Sequence, residues 1–273
     1  LGLKETVAYS WQHLIEELFD DCWCEDIKRY RSSYAFRGLS NKEYRLLTSL
    51  TRLGGPYADL EHHILKNFEK YARLDNAAHL TQWDWLTIAQ HHGLPTRLLD
   101  WTYSPFVAMH FATCETSRYD KDGVIWLVNF KKTHKFLPNS FKNKLNEEGS
   151  SVFTGKLLSG ISTSLQEFDG VSSKSGYALF FEPPSLDERI VNQSALHSVI
   201  SNSTTVLDDI LEKHPDWYKR IIIPKELKGE IRDKLDQANI TERVLFPSLD
   251  GLSTWLKRYY GKSYSQKPAQ NPQ

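Results

Sequence analysis

The chain has 273 residues, with 34 basic and 34 acidic side chains balancing to a formal net charge of zero. A hydrophobic fraction of 40%, including 8 Trp, 13 Tyr and 13 Phe, is enough for a sizeable core in one large domain or two small ones. Broad electrostatic capture of nucleic acid needs a basic excess that this composition lacks, although a local basic cleft is compatible with it.

The first twenty residues carry acidic side chains and no continuous apolar core, unlike a secretory signal. No later apolar run reaches bilayer length. A cytoplasmic chain with no membrane partner is expected. Ser10 caps an expected helix over 10–20, with Trp11, Leu14, Ile15 and Leu18 at helical spacing. Cys22, Cys24 and Cys114 make neither a disulfide framework nor a zinc knuckle and are expected to be reduced. "YAFRGLS" (34–40) reads as a strand entering a turn. A helix follows over 57–72, with Leu60, Ile64, Phe68 and Tyr71 on one face.

"TQWDWLTIAQHH" (81–92) reads as a third helix, opened by a Thr81/Asp84 capping pair and stopped by Gly93 and Pro95. Ser104 and Pro105 open a fourth. Between them, "HHGLPTRLLDW" reads as a tight connection. After residue 120 the period changes. Strands are expected at 123–130, 176–184 and 220–224, and 189–201 reads as one strand or two short ones. Loops with short helices are expected over 131–175. Two helices follow, one through Leu227, Ile231 and Leu235 and one through Leu249, Leu252, Leu256 and Tyr259; residues 262–273 read as a disordered tail. Helices, then strands, then helices give an α+β domain with a mixed or antiparallel sheet core flanked by helices.

Arg37 ends an apolar strand and precedes Gly38, which suits bidentate binding of a phosphate or carboxylate and close ligand approach. A buried Arg–Asp bridge is the equal alternative. Adjacent helical histidines point about 100° apart, so His91 and His92 cannot share a metal, and no metal site is expected. Thr96 leads into the corner. Arg97 and Asp100 could pair across it as a structural brace. Arg189, Gln193 and His197 recur every four residues and would share one face of a strand or a helix, as a ligand platform or as a solvated surface.

At "FRGLS", "QHHGLPTRLLDWTYSPFVAMHFA", "DERIVNQSALHS" and "VLFPSLDGLSTWL" the chain resembles the FRG domain family, over a single domain of residues 1–262. The same "FRG" strand, and the alanines and phenylalanine of "PFVAMHFA", also resemble toxin-type ADP-ribosyltransferases. That resemblance implies an ADP-ribosyltransferase-like fold and an NAD-consuming transferase, a bacterial toxin or anti-phage effector with a protein or nucleic-acid acceptor. By the resemblance, Arg37 would clamp the NAD diphosphate, Phe36 or Trp101 would support the nicotinamide, and Glu188 or Gln193 would orient the ribose. Gly38, His91 or His92, Thr96, Arg97 and Asp100 would complete the NAD site. The 188–193 segment has no Glu-x-Glu or Gln-x-Glu, so the alternative is a non-catalytic nucleotide- or anion-binding sensor or interaction module.

Overall fold

The computed structural model describes residues 5–72, 79–171, 176–185 and 187–261. The expected tail at 262–273 lies outside the described residues. In chain order the elements are β1 (Glu5–Val7), α1 (Trp11–Phe19), β2 (Trp23–Cys24), β3 (Arg29–Tyr30), β4 (Tyr34–Leu39), α2 (Ser49–Leu53) and α3 (Tyr57–Tyr71). Next come α4 (Gln82–His91), β5 (Leu99–Thr102), α5 (Pro105–Thr113), β6 (Gly123–Asn129), α6 (Phe130–His134), α7 (Asn139–Glu147) and β7 (Phe153–Thr154). They are followed by α8 (Gly155–Ser159), α9 (Leu165–Gly170), β8 (Ala178–Glu182), α10 (Glu188–Asn192), β9 (Ala195–Ile200) and α11 (Leu207–Leu211). The last are β10 (Tyr218–Ile223), α12 (Lys228–Gln237), α13 (Glu242–Leu245) and α14 (Leu249–Tyr259).

The fold is α+β, built on an eight-stranded mixed sheet in the order β1-β10-β6-β4-β5-β9-β8-β7. The edge pairs β1–β10 and β7–β8 are parallel, and the interior pairs are antiparallel. The apolar alternation of β4 drives two cores. Ala35 joins Trp101, Trp126, Phe180 and Leu196 on one side. Phe36 joins Ile125, Leu127, Ile221 and α5 residues Met109 and Ala112 on the other. A third cluster packs α4 residues Trp83, Leu86 and Ala89 against Leu179, Phe181 and Val199 of the β8–β9 half.

The pairing is uneven across the middle of the sheet. β4 follows β6 closely, with register pairs from Tyr34↔Asn129 to Leu39↔Val124. Between β4 and β5 the described bridge is Phe36↔Thr102. Beyond it β5 runs back through Asp100 to Leu99 paired to β9, with no further register to β4. Ladder pairing between β4 and β5 therefore stops short of Arg37 and Asp100, which are joined instead by a side-chain contact to the main chain.

The capping residues behave as their chemistry dictates. Ser10 accepts from His13 N, Thr81 and Asp84 form a complete capping box, and Ser104 caps α5 with Pro105 at its first position. Two sequence expectations are corrected. The connection before α5 contains a true strand, β5, because Leu99 and Trp101 alternate into the core. The 189–201 segment is helix then strand: Asp187 accepts from Ile190 N to cap α10, and Ser194, at φ 46°, turns the chain into β9.

Candidate functional site

Arg37 lies on β4, beside β5 in the sheet. Its Nη1 donates to the backbone carbonyl of Asp100. Its Nε is buried and has no hydrogen-bond partner. Burial pushes the guanidinium pKa down, Asp100 pulls it back up, and the nearby charge of Arg52 pushes it down again. The expected alternative, a buried Arg–Asp side-chain bridge, is not what forms: Arg37 holds a main-chain oxygen and keeps a donor in reserve.

Asp100 stands on β5, and its side chain is 60% exposed. Both carboxylate oxygens accept from Gln90 Nε2 at 3.0 Å. Oδ1 lies 3.3 Å from Nδ1 of His197, its register partner on β9. The imidazole is nearly buried, and the approach is close enough for charge contact but too poorly aligned for a hydrogen bond, which leaves Nδ1 unsatisfied. Crowding would raise the Asp100 pKa. The proximity of His197, the charge of Arg37 and the Gln90 amide outweigh it and hold the acid at about 2.

Gln90 is itself held. The buried Thr96 hydroxyl donates to Gln90 Oε1 at 2.5 Å and accepts from Leu98 N at 3.1 Å. This fixes which end of the amide faces Asp100. Further along α4, His91 Nε2 meets Asp187 Oδ2 at 2.6 Å, and Arg189 donates to the His91 carbonyl at 3.2 Å. Burial lowers the His91 pKa against the pull of Asp187. His91 thus ties the end of α4 to the start of α10 while His92 is exposed, as expected of adjacent helical histidines.

Several expected site residues are elsewhere. Arg97 is buried and does not pair with Asp100. It binds Glu61 through Nε and Nη2, Asp169 at 2.6 Å and the Ile200 carbonyl. Arg97 and Asp100 differ by an odd number of residues on a nearly extended segment, so their side chains leave on opposite faces. Phe36 and Trp101 are core residues, 1% and 3% exposed, and Trp101 Nε1 donates to Ser198 Oγ. Neither ring is open to a nicotinamide. Gly38 is covered by α5 rather than open to a ligand. Glu188 is exposed in the first turn of α10, and Gln193 donates to the Leu245 carbonyl while its own carbonyl accepts from Thr102. The resemblance gives one or the other the role of orienting the ribose. The α10 turn separates them from β9, and His197 is the residue that segment delivers. Gln90 was the other omission; its signal was its position one turn before Gly93, on the helix face that Thr96 returns to.

Among the described residues there is no group of three or more His, Cys, Asp or Glu spaced to hold a metal ion, and no helix long and apolar enough to cross a membrane.

A mixed sheet with an arginine and a carboxylate at its short β4–β5 pairing defines an α+β protein with charged groups at the sheet centre. Residues 32–121 match the family model described as the FRG domain, and this stretch of the chain is an FRG domain. It contains Arg37, Gln90, Thr96 and Asp100; Asp187 and His197, together with the "DERIVNQSALHS" and "VLFPSLDGLSTWL" motifs, lie beyond it. Neither a curated protein nor a solved structure matches the chain.

Proposed function

We propose that the site at Arg37 and Asp100 binds NAD and that the protein is an ADP-ribosyltransferase-like enzyme. On this reading it is cytoplasmic, a bacterial toxin or anti-phage effector, and it modifies a protein or nucleic-acid acceptor. The observation that carries the reading is Arg37, anchored by one nitrogen to the Asp100 carbonyl with a buried Nε still unbonded. A buried donor without a partner calls for an explanation, and a guanidinium fork fits the oxygens of a diphosphate. The Asp100 carboxylate, ionised across the working pH range, suits the cationic nicotinamide end of the same ligand. A core shared by both halves of the sheet holds Arg37 and Asp100 in fixed positions, which favours positioning over covalent chemistry.

The test is incubation of the purified protein with labelled NAD and protein, DNA or RNA acceptors. Transfer or nicotinamide release, lost in Arg37→Ala, supports the reading. No transfer, no release and no difference between wild type and Arg37→Ala reject it.

The exposure of Glu188 and the engagement of Gln193 with Leu245 favour a second reading, a sensor that holds a nucleotide or anion without turnover. It predicts saturable binding by calorimetry with no nicotinamide released.

A further inference from the structure

We infer that Asp100 is the catalytic carboxylate of this site, in place of Glu188. This rests on the NAD reading and assigns its chemistry to one residue. Releasing nicotinamide breaks the C1′–N bond. The bond pair stays on the ring nitrogen, which becomes neutral, and positive charge develops on C1′ and the ring oxygen of the ribose. Water or an acceptor then forms the new bond to C1′ and gives up its proton to solvent. Such a cation needs an ionised carboxylate that is fixed in place yet accessible.

Three carboxylates are candidates: Asp100 on β5, Asp187 at the cap of α10 and Glu188 in its first turn. Asp187 is committed through both oxygens, Oδ1 capping α10 at Ile190 N and Oδ2 meeting His91. Glu188 is exposed beside it on a five-residue helix, with no described hydrogen bond or ion pair to orient it. Asp100 alone of the three is both held and open. Gln90 grips it, Thr96 fixes Gln90, and its side chain remains 60% exposed. Two buried nitrogens lacking hydrogen bonds, Arg37 Nε and His197 Nδ1, come from the strands on either side of β5. One is a donor; the other donates or accepts by tautomer. Both are available to the hydroxyl and phosphate oxygens of a bound dinucleotide. Gln90 and Thr96 act through Asp100 and are positioning residues.

The experiment measures NAD affinity by calorimetry and nicotinamide release by chromatography on the full chain. Asp100→Asn, which keeps the size of the side chain, should slow release by on the order of a hundredfold or more while weakening affinity by no more than about tenfold. Asp100→Ser should do the same and guards against misfolding of the first variant. Glu188→Gln should release nicotinamide within about threefold of wild type. Thr96→Val should lower kcat with KM unchanged, and Thr96→Ser should restore it. Release at the wild-type rate by Asp100→Asn, or a loss confined to Glu188→Gln, overturns the assignment and leaves the NAD reading standing. A wild-type protein that neither binds NAD nor releases nicotinamide overturns both.

Discussion

Gly38 of β4 lies directly beneath the carbonyl of Ala108 in α5. A Cβ built at position 38 would collide with that oxygen and come within 2.7 Å of Ala112 N. The glycine of the Phe-Arg-Gly motif and the alanines of "PFVAMHFA" are thus one packing device, in which small residues let a helix lie on the strand that carries Arg37. The obstructing atoms are main chain, so no rotamer change relieves them. Gly38→Ala should destabilise the fold by about 1–3 kcal/mol or shift α5, seen as a lower denaturant midpoint with unchanged m-value. A midpoint equal to wild type would contradict the packing account.

Arg97 and Arg37, both candidates for one site, should separate cleanly on mutation. Arg97→Ala leaves Glu61, 3% exposed, without its charge partner and should cost about 3–5 kcal/mol. Arg37→Ala removes one hydrogen bond to a main-chain oxygen and should cost about 1 kcal/mol. Thermal melts of the two variants decide this. Equal losses would mean that Arg37 is a structural brace.

His134 sets an acid limit. Its Nδ1 lies 3.0 Å from the Ser151 carbonyl, and its Nε2 accepts from Phe180 N at 2.9 Å, so the fold requires the neutral ring with the proton on Nδ1. Burial pushes its pKa down to about 4, against the smaller opposing effect of the Ser151 bond. The unfolded ring, titrating near ~6.5, takes up its proton first as the pH falls. The native state should therefore keep its full stability above ~6.5 and lose about 3 kcal/mol as the pH drops toward 4. Urea midpoints for wild type and His134→Gln across this range test the sign; a wild-type curve no steeper than the variant's would refute it.

The strand carrying Arg37 was legible because Tyr34, Ala35 and Phe36 form an aromatic, apolar run closed by glycine, and the helix caps at Ser10, Thr81 and Ser104 follow from side-chain chemistry alone. β5 was not legible. Pro95 and the Ser104–Pro105 start frame it as a connection, and its four residues are too few to show a period. The partner of Arg97 was equally hidden, since Glu61 and Asp169 come from distant α3 and α9 and only tertiary packing brings them together. Reading 189–201 as strand underweighted Asp187, a good N-cap that starts a helix and turns Glu188 outward. The four-residue spacing of Arg189, Gln193 and His197 fitted a helix for the first two. The turn at Ser194 then carries His197 onto a strand beside Asp100.

The account rests on Arg37 as an anion clamp at the centre of the sheet. Calorimetric titration of NAD into wild type and Arg37→Ala, with thermal melts alongside, tests it most directly. The account predicts saturable binding to wild type and at least about tenfold weaker binding to the variant, with a melting temperature lowered only slightly. Equal affinity for the two proteins, or no binding to either, would contradict it.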